Sequence, residues 1–291
     1  MSKRLLHLAE GIGAVLVYAF FRALPLDAAS ALGAFLARAI GPRLGLSRRA
    51  LKNLRRAMPE LSDDGASRVI IGMWDNLGRV IAEYPHLGKY RIYAGDGRIE
   101  MVGAEHIRAQ NAPDQRAIFF SGHFGNWEVP TMALTQAGLS VVEMYRAANN
   151  PFVDGLINHA RSVVGSELAA KGGTGARRML AAMKNDRHIA MLVDQKQNDG
   201  IAVPFFGRDA MTGPALATFA LRFDSAVVPV RVDRLKGARF RITVEPPLSY
   251  AKTGDADFDT LALMTTVNQV LERWIRERPD HWFWLHRRWP D

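Results

Sequence analysis

Between residues 116 and 278, short apolar runs alternate with segments of helical periodicity, and this alternation limits the fold more than any other feature of the sequence. The runs typical of buried strands are residues 116–120, 140–145, 188–193, 226–233 and 240–244. The helical segments begin at Trp127 and Phe152 and cover residues 175–184, 214–223 and 258–278. Such alternation predicts an α/β fold, a mixed sheet flanked by helices. In these sheets, chemistry lies beyond the carboxyl ends of the strands.

The first 60 residues differ from the rest in charge. Residues 1–56 hold ten Lys or Arg and only two acidic residues, and so carry +8 of the chain's net charge of +9. This charge brackets two apolar runs, residues 11–21 and 28–37, each shorter than the ~20 apolar residues that span a bilayer. We therefore expect residues 1–60 to form membrane-associated helices, inserted shallowly at the interface, and residues 61–291 to form the second domain.

Two other interpretations of the N-terminal segment stay open, a signal peptide and an ordinary pair of core helices. A nucleic-acid binder would spread its basic residues along a reading surface, whereas here they flank apolar runs, so no nucleic-acid partner is expected. A further helix is predicted over residues 63–87, where apolar residues recur every three or four positions.

The absence of cysteine removes several kinds of chemistry. Thiolate nucleophiles, Cys-ligated zinc sites and iron–sulfur clusters are excluded, and a covalent acyl-enzyme would need Ser or Thr. Ser121 lacks the Gly-x-Ser-x-Gly context of a hydrolase nucleophile, so a serine hydrolase is not expected.

The most informative motif follows the first predicted strand of the alternating region. His123 and Glu128 lie in the sequence Ser-Gly-His-Phe-Gly-Asn-Trp-Glu, between that strand and a predicted helix. On a continuous helix the two side chains would point about 140° apart, but with His123 in the turn and Glu128 in the first helical turn they can meet. Glu128 would then bind the N–H of the imidazole and leave the other nitrogen as a general base. The alternative is that Glu128 only complements the helix dipole and His123 is a hydrogen-bonded loop residue.

Several further blocks occur in order along the chain. They are Met144-Tyr145-Arg146, Asn149-Asn150-Pro151, Val193-Asp194-Gln195, Val203-Pro204-Phe205-Phe206-Gly207 and the tryptophan-rich run 281–289. Together with the His123 motif, they make the sequence similar to the bacterial lipid A late acyltransferases, the lauroyl/myristoyl enzymes of the lysophospholipid acyltransferase superfamily. The resemblance runs from about residue 5 to the C-terminus. One departure is Ala147, where many members have Pro.

The resemblance implies an enzyme with a glycerol-phosphate-acyltransferase-like fold on the cytoplasmic face of the inner membrane. It would transfer a fatty acyl group from acyl carrier protein to a hydroxyl of a lipid A precursor, without a metal or a cofactor. The family's catalytic pair would fall on His123 and Glu128, and its substrate-binding residues on Arg146, Arg161 and Asp194. Mannoside and other glycolipid acyltransferases share much of this pattern, so another phospho- or glycolipid acceptor, of mannoside or lysophospholipid type, is the alternative. A non-catalytic lipid-binding protein is the alternative outside the enzymes.

The residues themselves suggest roles for the last three positions. Arg146 follows a predicted strand and could bind a phosphate through bidentate hydrogen bonds, or form an ordinary ion pair. Asp194 also ends a strand and could hold Arg146 or Arg161, or cap the next loop. The tryptophans at 282, 284 and 289 are expected to pack in the core and at its rim.

Overall fold

The computed structural model describes residues 2–289. The helices are α1 Lys3–Ala23, α2 Leu26–Ile40, α3 Gly45–Ala57, α4 Asp63–Glu83, α5 Ala104–Arg108, α6 Val129–Gln136, α7 Pro151–Arg161, α8 Gly173–Lys184, α9 Ala215–Phe223 and α10 Ala256–Glu277. The strands are β1 Ile99–Val102, β2 Ala117–Ser121, β3 Val141–Tyr145, β4 Glu167–Ala170, β5 His188–Leu192, β6 Lys196–Phe205, β7 Arg208–Thr212, β8 Ala226–Arg234 and β9 Phe240–Val244.

Seven strands form one mixed sheet in the order β1-β9-β8-β2-β5-β3-β4. Its neighbouring strands are parallel except β8 and β9, which are antiparallel. Strand β2 lies at the centre and all five of its residues are buried, as expected for a strand covered on both faces. The predicted α/β fold with a mixed sheet flanked by helices is therefore confirmed.

The strands that the sequence did not predict are short or polar. β1 alternates half-buried and exposed residues, and β4 has a single buried residue among four. Strands β6 and β7 form a separate antiparallel hairpin whose first half is polar and contains an irregularity in register. β1, β4 and the first half of β6 lack the apolar run by which a buried strand is recognised, because most of their side chains are exposed or half-buried.

Helix α1 joins the first apolar run to its charged flanks in one continuous element. Its 21 residues have a length of about 30 Å, close to the thickness of a bilayer's hydrocarbon core. By length and composition this helix could cross a membrane. The mean hydropathy over an 18-residue stretch of the helix is 1.4, and 11% of that stretch is buried. The helix is thus longer than the charge-free run suggested, and most of its apolar surface has no protein packed on it.

Helix α2, in contrast, packs closely on α4. Gly33 of α2 faces Gly78 of α4, and a Cβ added at Gly33 would lie 2.3 Å from the carbonyl oxygen of Gly78. Ala29 and Ala34 on the same helix are fully buried. The second apolar run therefore forms part of a helix pair in which the two backbones touch.

We expect Gly33→Ala to be about 1–3 kcal/mol less stable than Gly13→Ala, because its methyl group must push two backbones apart. Gly13 is the matched control, since it lies in a helix and an added Cβ there would meet nothing within 4 Å. Urea unfolding of both variants in the same detergent measures the difference. Equal stabilities would contradict the close α2–α4 contact.

Candidate active site

Three neighbouring parallel strands, β2, β5 and β3, end at the same edge of the sheet. His123 follows β2, Asp194 follows β5 and Arg146 follows β3. The sheet therefore brings these three residues, far apart in the sequence, to one region of the protein. This is the edge at which α/β sheets hold their ligands.

His123 is bound by Asp194. The Nδ1 atom of His123 lies 2.8 Å from Oδ1 of Asp194, and the backbone N–H of His123 donates to Oδ2, also at 2.8 Å. On the other side of the ring, Nε2 lies 3.2 Å from the side-chain nitrogen of Gln195. An amide N–H can donate only to an unprotonated ring nitrogen, so these contacts fit an imidazole that is protonated on Nδ1 and basic at Nε2.

The carboxylate of Asp194 is fully buried and accepts a third hydrogen bond, from the indole N–H of Trp282 at 2.8 Å. Burial by itself would raise the pKa of Asp194, but the charge and hydrogen bonds of His123 hold this pKa well below its usual range. Asp194 is therefore an ionised residue that orients His123. Of the two roles considered for Asp194, holding an arginine is not what the described residues show: its hydrogen bonds come from His123 and Trp282, while Arg161 binds Glu128.

Glu128 does not reach His123. It lies at the N-cap of α6, is fully buried, and accepts hydrogen bonds from Arg161 at 2.6 to 3.0 Å and from the hydroxyl of Tyr84. Burial raises the pKa of Tyr84, with a further contribution from the charge of Glu128, so the hydroxyl stays a donor. The expected hydrogen bond between Glu128 and His123 is thus replaced by two separate pairs, His123–Asp194 and Arg161–Glu128.

A second acidic residue lies close to this ion pair. Glu143 of β3 is buried and accepts a hydrogen bond from the hydroxyl of Ser166 at 2.9 Å. Burial, together with the charge of Glu128, raises the pKa of Glu143 to about 7.

A cavity of about 340 Å³ opens at this edge of the sheet. Three of the predicted site residues line it, namely His123, Arg146 and Arg161, together with Lys171 and Lys196. Asp194 and Glu128 lie behind its wall, each bound to a lining residue. The side chain of Arg146 is exposed and makes no hydrogen bond or ion pair with the rest of residues 2–289. The cavity therefore combines an imidazole with four basic side chains, of which Arg161 is already paired.

His123, Asp194 and His286 could also be considered as metal ligands, because their ligand atoms lie within 4.8 Å of one another. A cation at this place would compete with the three N–H donors that already bind the oxygens of Asp194. Burial lowers the pKa of His286 to about 4, so its ring is neutral and adds no positive charge beside His123.

The sequence did not indicate Tyr84, Gln195 or Trp282 as site residues. Tyr84 is more than 40 positions from Glu128 and belongs to no motif. Gln195 and Trp282 do lie in two of the blocks on which the family resemblance rests, so those blocks were the signal available. The expected burial of the tryptophans is confirmed, since Trp282, Trp284 and Trp289 are at most 2% exposed.

Comparison with known proteins indicates the family of the chain. The family model for bacterial lipid A biosynthesis acyltransferases matches residues 1–291. The lipid A biosynthesis lauroyltransferase of Escherichia coli K12 is 25% identical over 247 residues, which cover 81% of this chain and 76% of that protein.

Among solved structures, the crystal structure of the 1-acyl-sn-glycerophosphate acyltransferase from Thermotoga maritima matches 84% of this chain and 99% of its own. The identity is 14% and the TM-score is 0.40. The match of the family model to the whole chain is decisive: the protein belongs to the bacterial lipid A biosynthesis acyltransferase family.

Proposed function

We propose that the protein transfers a fatty acyl group from acyl carrier protein to a hydroxyl of a lipid A precursor at the cytoplasmic face of the inner membrane. The observation that carries this proposal is the His123–Asp194 pair, whose imidazole faces the cavity. The four basic side chains that line this cavity form its basic rim. Family membership and the lauroyltransferase relative support the acyl and lipid A parts. A different phospho- or glycolipid acceptor is the second candidate, since the basic rim fits any phosphorylated headgroup.

In the proposed reaction His123 acts as the general base. Its Nε2 takes the proton of the acceptor hydroxyl as the oxygen attacks the carbonyl carbon of the thioester. The new C–O ester bond forms and the C–S bond breaks, and the departing sulfur receives the proton from Nε2. Asp194 holds the Nδ1–H throughout and stabilises the imidazolium that forms in between.

Glu128 has a different role in this proposal from that of a partner of His123. It holds Arg161, the last residue of α7, against the N-terminus of α6. A buried charge without its partner is costly, so the pair fixes α7 and the β3–α7 loop at the wall of the cavity. Glu128 is then a positioning residue for the cavity.

Arg146, Lys171 and Lys196 are the groups that we propose for phosphate binding. Both the lipid A precursor and the phosphopantetheine arm of the carrier contain phosphate, and an arginine fork binds phosphate through two hydrogen bonds. Arg146 is the strongest candidate because it lines the cavity and its guanidinium is not engaged by another described residue.

For the membrane contact we propose α1, assisted by the basic residues of the first 56. The side chains of Ile12, Val15, Leu16 and Phe20 on this helix are all about half exposed or more. Burying them in lipid would recover a hydrophobic free energy that the fold leaves unused. A non-catalytic lipid-binding protein would share this helix, but it would not need an oriented base.

The function is tested by an assay of the full-length protein with acyl carrier protein thioesters and lipid A precursors, read by mass spectrometry. We expect His123→Ala to lower kcat by about 10²–10⁴-fold, the usual effect of losing a general base. His106→Ala is the control, because His106 lies on α5 and does not line the cavity.

The same assay also includes acyl-coenzyme A thioesters as alternative donors, and mannosides or lysophospholipids as alternative acceptors. Transfer only to one of these acceptors would favour the second candidate function. Normal turnover by His123→Ala would refute the proposed mechanism.

Arg146→Lys keeps the positive charge but loses the bidentate hydrogen bonds that a guanidinium forms with phosphate. We expect it to weaken binding of one substrate by about 1–3 kcal/mol, seen as a raised KM with kcat unchanged. Varying donor and acceptor separately identifies the substrate whose phosphate is bound, with the exposed Arg91→Lys as control. If both KM values stay at the wild-type level, Arg146 does not bind substrate.

The membrane contact is tested by introducing a charge among the exposed apolar side chains of α1. Leu16 is 65% exposed, and we expect Leu16→Lys to move protein from the membrane fraction to the soluble fraction, because a charged side chain is costly in the hydrocarbon region. Leu261→Lys on α10, at a site that is 41% exposed, is the control and should leave the partition unchanged. Equal behaviour of the two variants in vesicle flotation would show that α1 is not the membrane contact.

A further inference from the structure

The C-terminal segment, residues 282–289, lies against the loop that carries His123. Trp282 forms an antiparallel bridge with Phe124, and the backbone N–H of Phe283 donates to the carbonyl of His123 at 3.2 Å. The rings of Phe283 and His286 lie about 6 Å from the imidazole of His123. The candidate base and its neighbour Phe124 are therefore held by a segment some 160 residues further along the chain.

Within this segment, Trp282 touches the machinery of the site directly. Its side chain is 1% exposed, and its indole N–H donates to Oδ2 of Asp194 at 2.8 Å. Oδ2 also accepts the backbone N–H of His123, while Oδ1 binds the imidazole. Without the indole donor, Oδ2 keeps only the backbone N–H of His123, so the carboxylate of Asp194 is held by two hydrogen bonds instead of three and is less firmly fixed.

We infer that Trp282 is a positioning residue for catalysis: through Asp194 it fixes the orientation of His123 and limits the proton affinity of its imidazole. This inference rests on the proposed function, in which His123 is the base. A hydrogen bond from the indole disperses the negative charge of Asp194, so less of that charge is available to stabilise a protonated His123. Loss of the bond therefore raises the proton affinity of His123 and loosens its ring.

The rest of the segment is anchored independently of Trp282. Arg288 donates to the carbonyl of Met211 and to the hydroxyl of Thr212, and Asn53 of α3 donates to the carbonyls of Trp284 and His286. Removing the N–H of Trp282 therefore leaves these anchors in place. The same fold also provides a matched control, since Trp284 is equally buried but its indole donates to the carbonyl of Pro279 at 2.7 Å.

The test compares Trp282→Phe with Trp284→Phe in the full-length protein. Each variant loses one buried indole N–H, but only the first loses a donor to Asp194. We expect Trp282→Phe to lower kcat roughly tenfold or more, the factor that corresponds to one hydrogen bond to a charged group, with both KM values unchanged. The acid limb of its pH–kcat profile should move to higher pH, because a His123 with a raised pKa is protonated, and inactive, over a wider range.

A second measurement does not depend on turnover. In protein labelled with ¹⁵N-histidine, His123 is assigned by comparison with His123→Ala and titrated by NMR. Its pKa should be higher in Trp282→Phe than in the wild type, and unchanged in Trp284→Phe. Should Trp282→Phe fail to fold, β-(3-benzothienyl)alanine at position 282 keeps the bicyclic ring, lacks the N–H, and serves in the same two measurements.

The outcomes distinguish a failure of the proposed acyl transfer from a failure of the positioning role of Trp282. If the wild type transfers no acyl group to any acceptor, the proposed function fails, while the NMR titration still decides whether Trp282 controls His123. If kcat, the pH profile and the His123 pKa of the Trp282 variant all match the wild type, the positioning role is refuted. A parallel loss of kcat and melting temperature in both tryptophan variants, with the acid limb unmoved, would likewise assign Trp282 to packing alone.

Discussion

The buried ion pair between Glu83 and Arg234 is the interaction on which the arrangement of the site depends. Glu83, at the end of α4, is fully buried and binds Arg234, at the end of β8, through both oxygens. It also accepts hydrogen bonds from Ser30 of α2 and from Asn126. One carboxylate thus joins the N-terminal helices, the sheet and the loop between β2 and α6. Since an unpaired charge here would be costly, these three parts have only one satisfactory arrangement.

This network acts on the loop that carries His123 from one side, and Asp194 acts from the other. Asn76 of α4 binds both Arg234 and the carbonyl of Gly125, so the loop backbone two residues beyond His123 is fixed as well. Gly125 itself has a φ of 48° and approaches the carbonyl of Val232 closely, a conformation that glycine adopts without strain. A base held by contacts on both sides needs little reorganisation when the substrate binds.

The sequence correctly placed three candidate residues at the ends of strands, but it did not predict which side chains the carboxylates of Glu128 and Asp194 bind. Apolar runs located β2, β3 and β5, so His123, Arg146 and Asp194 could be placed at strand ends. Spacing along the chain favoured Glu128 as the partner of His123. It could not reveal that Arg161 and Tyr84 converge on Glu128, because those contacts depend on how α7 and the end of α4 pack. Nor could local pattern show that Trp282 reaches Asp194, because the residues are 88 positions apart.

The separation of the two carboxylates has a chemical consequence for the base. Glu128 is paired with Arg161 and makes no contact with His123, so Asp194 is the carboxylate that orients the base. Glu143 supports this division. Burial and the charge of Glu128 raise its pKa to about 7, so below this pH it is neutral and leaves Arg161 to Glu128. Above pH 7, ionised Glu143 would add a second negative charge beside one guanidinium. The charge balance of the cavity wall then changes in the same pH range in which a histidine base works.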